Sequence, residues 1–298
     1  MSLLSFSAAL GLPAALGLGL AFAPLFPSAV RAEVTAEQMA PAIDAARITA
    51  LTDTMMMGEI FAVMREEGLD YGQTLSDEMF PGKGRAQWEA VVAAIYDPDT
   101  MRRRFDAALA QSLVGAEPDM AAIEGFFGSD QGQTILRLEI EARRSLLDAE
   151  VEDAAKLAWE DLRAQGGDRV DKLTQFVEAN DLIESNVMGA LNANLAFYRG
   201  LSETGAFPQE MTEDQMLSDV WGQESDVRTE TTDWLYPFLS LAYQPLPDED
   251  LDAYIAFSQT AAGQRLNVAL FAAYDAVFTR ISHDLGRAAA EHMQGEDI

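Results

Sequence analysis

The sequence carries one pattern twice at a fixed separation. Asp119, Met120, Ala122, Phe126, Ser129, Gly132, Gln133 and Ile135 are matched by Asp250, Leu251, Ala253, Phe257, Thr260, Gly263, Gln264 and Leu266, 131 positions on (264 minus 133). Upstream, Leu51, Thr54, Met57 and Gly58 meet Leu182, Ser185, Met188 and Gly189 at the same displacement. A gap-free register over two separated blocks points to tandem duplication. Its period means whole domains, since solenoid units span roughly 20 to 50 residues. The expected organisation is a leader, 1–32, and two homologous repeats, 33–166 and 167–298.

Each repeat reads as an all-α helical bundle. Helix punctuation recurs, and alternation of β-branched and aromatic residues is hard to find. Thr35-Ala36-Glu37-Gln38 and Thr212-Glu213-Asp214-Gln215 have capping-box spacing, in which hydroxyl and amide satisfy reciprocal orphan N–H groups. Asp97-Pro98 and Glu117-Pro118 put proline where a helix begins and its missing donor has no partner to lose. From Gln133 to Gln165 no Pro or Gly intervenes, and Ile135, Leu138, Ala142, Leu146 and Val151 predict one long helix ended by Gly166-Gly167. The matching helix runs from about Thr260, with Leu266, Leu270, Tyr274, Phe278 and Ile281 on its apolar stripe, and the polar stretch 291–298 is expected to fray.

The leader has no charged residue in its first 30 positions, and the Ala/Leu/Gly-rich run from Leu10 to Phe26 precedes Val30-Arg31-Ala32. Small residues at Val30 and Ala32 suit a signal-peptide cut that makes Glu33 the mature N-terminus, in the periplasm. Pro13, Pro24 and Pro27 interrupt the run and disfavour an uncleaved membrane anchor. Removing Arg31 with the leader leaves 19 basic against 49 acidic side chains, a formal charge of −30 (19 minus 49). Such a field repels phosphate backbones and anionic headgroups, which excludes nucleic acid and peripheral membrane binding as expected partners. Cysteine is absent, so the core alone must hold an exported fold, and about 130 residues per repeat suffice.

The best-matched segment reads as a helix corner. An acid opens a short helix (Asp119, Asp250), an aromatic plugs the core (Phe126, Phe257), Ser129 or Thr260 caps the next helix, and Gly132 or Gly263 permits close contact. With Gln133 and Gln264 these form the structural motif of each repeat. The order of acid, aromatic, Ser/Thr and Gly-Gln resembles the bacterial domain of unknown function 2059 family, most clearly over 119–155 and 250–289. That family is typically exported and helical, has no established activity, and supplies no functional residues to carry over. Gly128 and Ser258 stand where a Tyr-Ser-Pro-like turn is commoner in it.

No catalytic residue, cofactor site or metal ligand set is assigned. His283 and His292 are the only histidines, and nine residues apart they face opposite sides of a helix; the position 131 before His283 is Glu152. Asp248-Glu249-Asp250-Leu251-Asp252 imitates the start of a calcium loop, yet Ala253 and Gln259 stand where Gly and Glu belong, so the acids are read as a helix N-terminus. Gly82-Lys83-Gly84 lacks the frame of a phosphate loop. Arg102-Arg103-Arg104 fans around a helix and is expected to be solvated or ion-paired, and Met55-Met56-Met57 is expected to fill core. The leading expectation is a non-enzymatic periplasmic module binding an envelope protein or small ligand in a cleft between repeats, where Trp88, Trp221, Trp234 and Tyr236 are partly exposed. The alternatives are a hydrolase with two buried carboxylates and a chaperone-like envelope factor with a broad apolar face.

Overall fold

The computed structural model describes residues 43–82, 84–205 and 211–295. The leader and the capping box at 35–38 lie outside them, as does Lys83. The described residues form thirteen helices and no strand, which is the expected all-α class. The first half holds α1 (Ala45–Thr54), α2 (Met57–Met79), α3 (Arg85–Ile95), α4 (Pro98–Ser112), α5 (Glu117–Phe127), α6 (Asp130–Ser145) and α7 (Ala149–Gln165). The second holds α8 (Asp168–Ala179), α9 (Leu182–Glu203), α10 (Glu213–Trp221), α11 (Glu224–Tyr243), α12 (Asp248–Ser258) and α13 (Ala261–Gln294). Between them Gly166 and Gly167 take φ of 67° and 105°, a left-handed excursion that ends α7 and that glycine adopts without strain.

Local chemistry explains most boundaries. Asp97 caps α4, its carboxylate accepting from the Thr100 amide at 2.9 Å, and Pro98 is the first helical residue. Thr212 and Gln215 form the expected capping box at the start of α10. The acidic run at 248–250 opens α12, where carboxylates complement the helix dipole; Arg169 and Lys172 of α8 pair with Asp248 and Asp252. Arg102 is ion-paired, to Asp53 at 2.8 Å and Asp106 at 2.9 Å, and Met55 and Met57 are core.

Three expectations need correction. The stretch 133–165 is two helices, because Asp148 accepts from the Glu150 amide at 2.9 Å and starts α7 afresh with Glu150 and Glu152 in its first turn. The C-terminal stretch does not fray at 291: α13 continues to Gln294, with His292 enclosed against Phe80 and Trp88 and Gly295 ending the helix at φ 79°. The upstream block of the repeat is also out of register. Leu51 lies inside α1 whereas Leu182 begins α9. The left-handed residues Met56 and Asp181, each preceding a long helix, lie 125 positions apart (181 minus 56). Five of the six positions between 125 and 131 are taken up by α11, which has 20 residues where α4 has 15 (20 minus 15).

α13 is the axis of the molecule. It runs parallel to α9, joined by bonds from Gln264 to the Ala179 carbonyl, Asn267 to the Asn180 carbonyl, Asn192 to Asp275 and Gln294 to the Thr204 carbonyl, at 2.7–2.9 Å. Gly200 and Gly286 let the two backbones touch; a Cβ on either would strike the His283 or Phe197 carbonyl oxygen. The other face of α13 lies on α4 of the first half, where Phe105 meets Tyr274 at 4.9 Å. In return α6 and α7 lie on α11 of the second half, where Trp159 stacks on Tyr236 at 4.9 Å and 7°. Each half's closing helices therefore cover the other half's fourth helix, and one continuous core runs through both. We expect Gly200→Ala and Gly286→Ala each to lower stability by about 1–3 kcal/mol through overpacking. Gly125→Ala, with open space around it, should be neutral or stabilising. Urea midpoints of the three variants check this.

Candidate functional site

The two corner motifs are brought together at the centre. Ser129 Oγ accepts from the Gly132 amide at 3.0 Å and donates to the Phe126 carbonyl at 2.6 Å. Thr260 Oγ1 does the same with Gly263 at 3.0 Å and Phe257 at 2.7 Å. A Cβ on Gly132 or Gly263 would collide with those same carbonyls, so glycine is required for close approach. Gln133 donates to the Thr54 and Phe127 carbonyls at 2.8 and 2.7 Å, and Gln264 to those of Ala179 and Ser258 at 2.7 and 2.6 Å. Each glutamine thus ties its corner to the end of its half's first helix. Phe126 stacks directly on Phe257, centroids 4.2 Å apart and planes 8° from parallel. Around that stack Gln131 donates to Asp250 at 2.6 Å and Arg265 pairs with Asp119 at 2.8 Å.

Beside the corners runs a polar thread. Glu139 of α6 is fully enclosed, accepting from Tyr243 of α11 at 2.5 Å and Tyr254 of α12 at 3.5 Å. One turn on, Arg143 is 2% exposed and forks onto both oxygens of Glu67 of α2 at 2.7 Å. Burial, and then the Glu139 carboxylate, raises Tyr243 and Tyr254 well above the ordinary phenol range. Tyr274 is raised by burial also, partly opposed by Arg143. Burial alone would lower Arg143, but the Glu67 carboxylate raises it overall. The thread keeps its phenols protonated, and Glu139, Arg143, Tyr243 and Tyr254 are enclosed away from solvent while Glu67 is partly exposed, which suits a structural link between helices.

The sequence named the corner residues and missed this thread. The signal was present: Glu139 and Arg143 share the buried face of Ile135, Leu136 and Ile140, whereas Leu138, placed on the stripe by periodicity, is half-buried. The four aromatics expected to line a cleft are not gathered there. Trp88 is enclosed and donates to the Gly72 carbonyl at 2.6 Å, Trp234 stacks on Phe238, Tyr236 on Trp159, and Trp221 is 53% exposed at the end of α10. His283 Nε2 lies 3.0 Å from Glu203, while His292 packs on Phe80, so the histidines are apart as expected. Among the described residues no group of three or more His, Asp or Glu side chains is placed to hold a metal ion. Asp275 and Glu230 are raised by burial, the former tempered by Asn192 and the latter reinforced by Asp226, but they sit on α13 and α11 with separate partners. Among the large exposed apolar residues, Leu157, Met188, Trp221 and Val268 are on four different helices.

Comparison with known protein families, curated proteins and solved structures gives no match. The thread makes a defined prediction. Tyr243→Phe should cost about 1–3 kcal/mol by removing a donor from a buried carboxylate. Because the folded phenols titrate above their unfolded values, the stability they contribute is complete below about pH 10 and is lost as pH rises beyond it. Urea midpoints from pH 7 to 11 should be level and then fall, and Tyr243→Phe should fall less steeply.

Proposed function

We propose that the chain is an exported, non-enzymatic binding protein of the bacterial periplasm, built from two copies of one helical unit and related to the domain of unknown function 2059 family. The observation that carries the reading is the use made of the reactive side chains. Glu139, Arg143, Tyr243 and Tyr254 are spent inside the core, where no substrate reaches them. The closely matched corners, down to Ser129/Thr260, Gly132/Gly263 and Gln133/Gln264, support an origin by duplication. The leader with its Val30-Arg31-Ala32 cut supports export. Among the described residues no helix is long and apolar enough to cross a membrane, in keeping with release after cleavage.

The partner is an envelope protein or a small ligand. The dense negative charge favours a partner with a basic face, because complementary potentials speed encounter and like charge repels. Cross-linking in cells of a C-terminally tagged chain, followed by mass spectrometry of the exported fraction, tests the reading. A mature N-terminus at Glu33 and a specific envelope protein enriched over an equally acidic control are expected. An intact leader, or hydrolytic activity that survives purification and is lost with Glu139→Gln, would overturn it.

A further inference from the structure

Glu139 has no acidic counterpart. The position 131 later is Leu270, buried in α13, and the counterpart of Arg143 is Tyr274. The hydroxyls that bind Glu139 are equally one-sided, since 131 positions before Tyr243 and Tyr254 stand Ser112 and Ile123. The assignment is secure in these elements, where α5 and α12 coincide end to end at that displacement and Ser112 and Tyr243 each close their helix.

A chain with two similar halves has two ways to finish its core. The closing helices can cover the fourth helix of their own half or that of the other, and the structure takes the second course. The thread discriminates strongly. Laid on its own half, Glu139 would meet Ile123 in place of Tyr254 and Ser112 in place of Tyr243, a buried carboxylate against an aliphatic chain. Laid on the second half, it gains two phenolic donors. α13, with Leu270 at the corresponding place, suits the aliphatic receptor of the first half.

We infer that the Glu139–Tyr243–Tyr254 contact is a pairing device that selects the exchanged arrangement of the halves over the unexchanged one. Buried polar groups fix register in helical assemblies even where apolar residues would be as stabilising, which is the role assigned here. The inference rests on reading the halves as counterparts.

The absence of cysteine makes the test clean. In the full chain, Trp159→Cys with Tyr236→Cys places one thiol on α7 and one on α11, and a short bismaleimide joins them within one chain when α7 lies on α11. Into this parent are introduced Glu139→Leu and Tyr254→Ile together, the residues of the counterpart positions. The expected result is retained helix, a urea midpoint lowered by no more than the Tyr243 hydroxyl left without an acceptor costs, an intrachain cross-link yield reduced at least twofold, and more than one set of amide resonances. Glu139→Gln, which still accepts from both phenols, should keep the parent's yield. An unchanged yield in the double variant, a lowered midpoint with loss of helix, or a loss of yield in Glu139→Gln equal to that of the double variant would overturn the proposal. The cross-link reads which helices lie together whatever their ancestry, so its outcome is separate from that of the duplication and export reading.

Discussion

The stack of Phe126 on Phe257 is the contact on which the architecture turns. It joins the two corners at corresponding points, and a residue meeting its own counterpart is what a twofold relation produces. From the joined corners α6 leaves toward α11 and α13 toward α4. The glycines inside the corners allow this, since Gly132 and Gly263 bring each closing helix against the backbone of the short helix before it. Stacked rings of this kind add roughly 0.5–1.5 kcal/mol beyond their area. The larger consequence is positional, because the stack brings the starts of both closing helices to one point.

The halves share corners and differ in what they enclose. Beyond the thread of α6, the second half buries Asn180, Asn186 and Asn267, each with an amide that donates to a backbone carbonyl. At corresponding places the first half has Met55, Phe61 and Leu136, all fully buried apolar residues. The two halves thus share corner chemistry and differ in the polarity of what they bury. The net charge of −29 works against compaction throughout, so this large apolar interior must outweigh continual self-repulsion.

The fold class and corner chemistry were legible in the sequence because they depend on neighbours within a few residues. A cap reads from one hydroxyl and the amide three positions on, as at Ser129, Thr212 and Thr260. The break at Asp148 was not legible, since an uninterrupted run without Pro or Gly gave no reason to divide, and the packing of α7 along α11 rewards the turn. The upstream register misled for a related reason. Four matching letters at 131 fell on different parts of their helices, and the extra length of α11 was hidden between them. The thread needed knowledge of which helices meet: Glu139 and Tyr243 are 104 residues apart, and nothing local to either names the other.

The exchange of closing helices also sets an order of events. α4 is complete by Ser112, yet the helix that covers it begins at Ala261. During synthesis, at roughly 5–20 residues per second, the apolar face of α4 therefore waits through some 150 further residues before its cover exists. For most duplicated proteins the leading copy folds while the trailing one is still being made. Here α4 of the first half stays uncovered until the last long helix emerges, so the core cannot close before synthesis is nearly complete.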